Sequence, residues 1–121
     1  MNNIKLQDNE GYTLNRVSNK TELSDIIEHI SRTIYIWKDK HCVWDLNLMD
    51  FSKVDSGELK AFINTTASMT TLREGNKTAF VVKEDFGFGM LKMLESLASD
   101  QFSVTMSVFR SMPEALKWLK E

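Results

Sequence analysis

The run Thr78-Ala-Phe-Val-Val-Lys-Glu-Asp-Phe-Gly-Phe-Gly-Met-Leu-Lys-Met-Leu-Glu constrains the fold more than any other stretch. It reads as a buried strand, a glycine-punctuated turn and an amphipathic helix in immediate succession. A further strand over residues 103 to 110 and a short helix over residues 111 to 120 follow directly. The last third of the chain therefore predicts a strand-helix-strand-helix unit of an open sheet. The final helix opens Ser111-Met-Pro-Glu, where Ser111 and Glu114 stand at capping-box spacing and Pro113 occupies the first turn, which needs no N–H from it.

Upstream, residues 4 to 7 and 12 to 18 have strand character around the turn cluster Asp8-Asn9-Glu10-Gly11, which predicts a β-hairpin. Leu23, Ile26, Ile27, Ile30, Ile34 and Trp37 recur at helical spacing, with Thr21 or Ser18 placed to cap the first amides. Thr33-Ile-Tyr-Ile-Trp has β character by itself, but the unbroken apolar stripe keeps the helix to about residue 36. His41-Cys-Val-Trp-Asp-Leu reads as a strand buried on both faces, followed by a polar loop over residues 47 to 54. A second helix begins near Asp55 and presents Leu59, Phe62, Ile63, Thr66, Ala67 and Met69 on one face, with Gly75 available for a left-handed turn at its end. In the helix after Gly87, Met90, Met93, Leu94 and Leu97 form the expected buried stripe, and Lys92, Glu95 and Ser96 face water. The expectation is one α/β domain over residues 1 to 121: a mixed, mostly parallel sheet of about five strands, an N-terminal hairpin supplying an antiparallel edge, and about four helices.

Bulk properties narrow the function classes. A chain of 121 residues, 42% hydrophobic, is long enough to bury one real core. Net charge is -2, with Lys and Arg scattered among Asp and Glu, so the electrostatic footprint of a nucleic-acid binder is missing. The opening Met1-Asn-Asn-Ile-Lys lacks leader character, and no apolar run approaches the roughly 18 residues of a membrane span, so a cytoplasmic protein is expected. Cys42 is the single cysteine, which excludes a disulfide within the chain and suggests a buried thiol acting as a small hydrophobe.

Val43-Trp-Asp-Leu, Thr78-Ala-Phe-Val-Val with Gly87-Phe-Gly-Met after it, and the closing Val108-Phe-Arg-Ser-Met-Pro-Glu-Ala-Leu-Lys-Trp-Leu together resemble the SpoIIAA-like proteins, a branch of the STAS and CRAL-TRIO-like α/β fold. The resemblance implies a small non-enzymatic module without a cofactor, whose relatives bind a partner protein or an apolar ligand. It also draws attention to Asp55-Ser56-Gly57, because a regulatory phosphoserine opens the corresponding helix in the anti-sigma-factor antagonists. A helix N-terminus favours phosphate electrostatically, so Ser56 is the candidate phosphorylation site. Glu58 favours a plainer account, since Asp55 and Glu58 have capping-box spacing and one serine of the family's usual Asp-Ser-Ser-Gly is missing.

The remaining candidates lie around the glycines. Gly87-Phe88-Gly89 lacks the third glycine of a dinucleotide fingerprint, and Glu84 and Asp85 would repel phosphate, so the glycines read as aids to a tight turn and close packing. Asp85, Phe86, Gly87, Phe88, Gly89, Met90 and Met93 still form the candidate binding surface, because loops beyond strand C-terminal ends line the ligand crevice of many open sheets. The methionines and phenylalanines suit a partner helix or an acyl chain, although such stripes are most often core. His29, expected on the polar side of its helix, and His41 beside Cys42 have no metal-ligand spacing. His41 and Cys42, adjacent in a strand, point to opposite faces and cannot form a nucleophile pair. Asp45 and Asp50, near the end of a central strand, stand where α/β enzymes keep acidic residues, but a loop or cap role is preferred and a small hydrolase is the lowest-ranked reading. The leading reading is a regulatory module that recognises a protein partner through these loops, with self-association through an edge strand or helix face also open. Its rival is a carrier that holds an apolar small molecule between the Met-bearing helix and the sheet.

Overall fold

The chain builds its sheet strictly in order. The computed structural model describes residues 4–121; the reading of Met1-Asn-Asn as a start without leader character lies outside the described residues. Strands β1 (Lys5–Asn9) and β2 (Tyr12–Arg16) form the antiparallel hairpin, with Asn9 opposite Tyr12 and Gly11 at a φ of 85° in the turn. Strands β3 (His41–Asp45), β4 (Lys77–Val81) and β5 (Thr105–Phe109) then add in parallel, giving the order β1-β2-β3-β4-β5. Helices α1 (Leu23–Trp37), α2 (Ser56–Ala67) and α3 (Asp85–Ala98) make the crossovers, and α4 (Met112–Leu119) closes the chain.

Crossovers of one hand between strands laid down in a single direction put every connecting helix on the same face. Helices α1, α2 and α3 accordingly share one core with Cys42, Trp44, Phe80, Met106 and Val108. The alternate strand residues Leu14, Val43, Ala79 and Val81 face the other way and are covered by Ala115 and Leu119 of α4. The mixed α/β architecture with an N-terminal hairpin and four helices is the one expected. Among the described residues, no helix is long and apolar enough to cross a membrane.

Local details depart from expectation in instructive ways. The N-cap of α1 is Glu22 rather than Thr21 or Ser18: the Asp25 carboxylate accepts from the Glu22 N–H at 2.9 Å, while Thr21 is buried and accepts from Ser18 N–H at 3.0 Å. Helix α2 gives way to a 3-10 helix, Ser68–Arg73, before Gly75 turns the chain at a φ of 89°. Helix α3 begins at Asp85, capped by the Glu84 carboxylate at Phe86 N–H (3.0 Å), so Gly87 and Gly89 lie inside the helix and not in a turn before it. Its buried face is made by Gly87, Met90, Leu91, Leu94 and Ala98, and Met93 and Leu97 are exposed where a buried stripe was expected. His29 is buried against the sheet and not on the polar side of α1.

Candidate ligand pocket

Between the sheet and its three crossover helices lies an apolar pocket of about 80 Å³. Trp44, Phe80 and Met106 supply its floor, one from each of the three C-terminal strands, and Phe62 and Met90 are among its helical walls. These strand residues share the face by the two-residue period of the sheet. Four polar residues interrupt the wall: Thr66, Thr70, Arg73 and Thr78. Two of them are accounted for locally, since Thr66 Oγ1–H donates to Phe62 O (2.8 Å) and Thr70 Oγ1–H to Ala67 O (2.7 Å).

Arg73 is the exception. It ends the 3-10 helix and is 4% exposed, with its guanidinium 5.0 Å from the centre of the Trp37 ring. Nη1–H donates to Thr78 Oγ1 at 2.6 Å, and Nη2–H groups donate to Lys40 O at 2.9 Å and Lys77 O at 3.2 Å. Nε–H has no partner, and among the described residues no carboxylate lies in ion-pair distance of the guanidinium. Burial lowers the pKa of Arg73 from its ordinary value. A buried charge without a counter-ion is expensive unless something completes its shell.

A second buried polar chain crosses the same core. His29 Nε2–H donates to Asn15 Oδ1 (2.7 Å), Asn15 Nδ2–H donates to Cys42 Sγ (3.2 Å), and the His29 ring meets Trp44 edge-on at 5.8 Å. The residue types are those of a thiol hydrolase, but the order is wrong for that chemistry, because Asn15 stands between the thiol and the base. Cys42 is fully buried, and desolvation pushes its pKa up to about 11, which keeps the thiol protonated. Burial likewise lowers the pKa of His29 and, with help from the Lys77 and Arg73 charges, that of His41, whose Nδ1 accepts from Lys77 N–H at 2.9 Å.

The glycine-region residues are divided by the helix. Phe86 and Met93 are 52% and 42% exposed on its outer side, whereas Gly87 and Met90 are buried, and Met90 lines the pocket. Asp85 pairs with Arg110 at 2.6 Å, and that guanidinium lies 4.0 Å from the centre of the half-buried Phe88 ring, so Phe88 is partly covered from within the chain. Gly89 has open space where a Cβ would stand, while at Gly87 a Cβ would meet Phe51 and Val82 at 2.9 Å. The close packing expected of the two glycines therefore holds at Gly87 and not at Gly89. The strand order never reverses, so the switch-point crevice that would gather these loops does not form.

The acidic candidates have local partners. Asp45 pairs with Arg16 (3.1 Å) and accepts from Asn47, and Asp50 caps the 3-10 helix Phe51–Lys53 by accepting from Ser52 N–H and Oγ–H. Those Ser52 bonds hold the Asp50 carboxyl below its ordinary pKa. Ser56 is exposed as the first residue of α2, with Asp55 capping Glu58 N–H at 2.7 Å. No group of three or more His, Cys, Asp or Glu among the described residues is placed to hold a metal.

Arg73 was not legible as a site residue. Its neighbourhood, Thr71-Leu-Arg-Glu-Gly-Asn, has the composition of a solvated turn, and its burial is made by Trp37, Lys40 and Thr78, which lie in other elements. Scanned against protein-family models and searched against curated proteins, the chain matches none.

Proposed function

We propose that this chain is a cytoplasmic, cofactor-free binding module that holds a small apolar molecule between the sheet and helices α1 to α3. The observation that carries the reading is the pocket itself, about 80 Å³ of apolar space in the one layer where a well-packed core would leave none. That is about half the 150 Å³ of an engineered apolar cavity that admits benzene. Met49, Met69, Met90 and Met106 line it, and their unbranched side chains can move aside for a larger occupant. The resemblance of the strand and C-terminal motifs to the SpoIIAA-like proteins agrees with this reading, since it implies binding of a partner or an apolar ligand.

The test is a titration of [13C-methyl]methionine-labelled protein with 1-hexanol. Shifts at Met69, Met90 and Met106, with Met93 and Met112 unmoved, are expected, because Met93 is exposed and Met112 packs on the α4 face. No shift at the pocket methionines would refute the reading. Recognition of a partner protein is the second reading, favoured by the exposed Phe86, Met93 and Leu97 along α3, which suit the apolar face of a partner helix. Loss of partner capture in a Phe86→Ser, Met93→Ser variant of unchanged stability would support it, whereas concentration-dependent mass of the chain alone would assign that face to self-association.

A further inference from the structure

We infer that Arg73 is the anion anchor of the pocket, and that the ligand is a carboxylate with a short apolar tail. The inference rests on the proposal that the pocket is a ligand site, and it names the ligand's class. Arginine carries five N–H donors in a planar fork and keeps its charge. Three hydrogen bonds to Thr78, Lys40 and Lys77 fix its plane, and Trp37 supports one face, so the guanidinium is held in place before any ligand arrives. Nε–H is left without an acceptor in a side chain that is 4% exposed and forms part of the pocket wall. The Cys42 thiol, buried in the same core, is protonated and supplies no negative charge.

Buried donors and acceptors close to Arg73 do have partners; the other two buried side-chain atoms without one among the described residues, Asn9 Nδ2 and Glu95 Oε1, belong to residues outside the pocket wall. The Trp37 indole N–H donates to Thr33 Oγ1 at 2.9 Å, and Thr70 Oγ1 both donates to Ala67 O and accepts from Ser103 N–H at 3.0 Å. A monoanion matches one uncompensated cation, whereas a phosphate dianion would bring a second charge into a wall that holds no other buried cation. The volume bounds the tail: about 80 Å³, half that of an engineered cavity that admits benzene, takes only a short apolar chain, and the methionines allow a few groups more. The carboxylate oxygen would accept from Nε–H, and the tail would run along Trp44, Phe80 and Met106.

The experiment is calorimetric titration of the full chain at pH 7 with hexanoate, its neutral isostere hexanamide, and hexyl phosphate. Hexanoate is expected to bind at least tenfold more tightly than hexanamide, and more tightly than hexyl phosphate. In Arg73→Met, hexanoate is expected to lose that tenfold advantage while hexanamide still binds. Equal affinity for hexanoate and hexanamide in the unaltered protein would overturn the anchor and leave the apolar pocket standing. Preference for hexyl phosphate would overturn the carboxylate class. No binding of any of the three would overturn both readings. Because the comparison of acid with amide needs no substitution, failure of Arg73→Met to fold would not rescue the inference.

Discussion

Gly87→Ala and Gly89→Ala should move stability in opposite directions, although the two residues lie two positions apart in the same helix and in the same motif. Both gain the intrinsic preference of alanine over glycine in a helix, about 0.5–1 kcal/mol. At Gly89 nothing lies within 4 Å of the added Cβ, so that gain is the whole effect. At Gly87 the Cβ arrives 2.9 Å from Phe51 Cδ2 and 2.9 Å from Val82 Cγ2. Both neighbours are buried, at 4% and 1% exposure, and neither is the loose end of a flexible side chain. Overpacking of this kind costs about 1–3 kcal/mol, giving a net loss of about 0–2.5 kcal/mol. The difference between the variants isolates the packing, because the helix preference is common to both and cancels. Urea unfolding followed by tryptophan fluorescence should place Gly87→Ala about 1–3 kcal/mol below Gly89→Ala with unchanged m-values. Equal stabilities would refute the claim that Gly87 exists to let α3 seat against Phe51 and Val82.

Mild acid should weaken the fold through its two histidines. His29 and His41 both have folded-state pKa values below the ordinary 6.5, so below that pH the unfolded chain binds protons the folded chain does not. Their contribution is whole above pH 6.5 and is lost on acidification until the folded pKa is reached, with a slope of up to about 1.4 kcal/mol per pH unit for each histidine. His29→Gln should flatten this slope in denaturation measured between pH 7 and pH 5. Cys42, buried and with a pKa near 11, should resist iodoacetamide in native protein and react fully in urea, as mass spectrometry would show; rapid native alkylation would contradict the burial. Ser111→Ala removes the hydroxyl that accepts from Glu114 N–H (3.4 Å) and donates to Glu114 Oε1 (2.9 Å), and should cost about 1 kcal/mol in the same unfolding assay.

The elements of this fold were legible because their signals are periodic and local. The stripe from Leu23 to Trp37 contains enough turns to declare its period, and the short apolar segments of β3 and β4 are bounded by polar residues that mark them as buried strands. Ser111 and Glu114 likewise meet as their spacing implies. Errors occurred where one residue of phase mattered. Centring the buried face of α3 between Met90, Met93 and Leu97 assigns Met93 and Leu97 to the core, whereas the observed face is centred on Gly87, Leu91, Leu94 and Ala98. Glycine was read as a turn signal, but Gly87 serves inside a helix as the absence of a side chain. His29 was misplaced for a related reason: its partners Asn15 and Trp44 come from two different strands, and a helical wheel contains neither.

Arg73 carries the same lesson to the proposed site. A charged residue in a polar turn normally reaches water, and the sequence around it says nothing else. Its burial follows from the β3 and β4 register, which sets His41 and Cys42 beside Lys77 and Thr78 and so brings the Lys40 and Lys77 carbonyls within reach of one guanidinium. Those bonds and the Trp37 ring stabilise the side chain without neutralising it, because carbonyl dipoles and a ring face are not counter-ions. If stability alone had shaped the position, an apolar residue filling the pocket would satisfy it better than an unpaired cation. An arginine held rigid by three hydrogen bonds, with its Nε–H left without a partner at the wall of an apolar pocket, is instead what recognition of an anion requires.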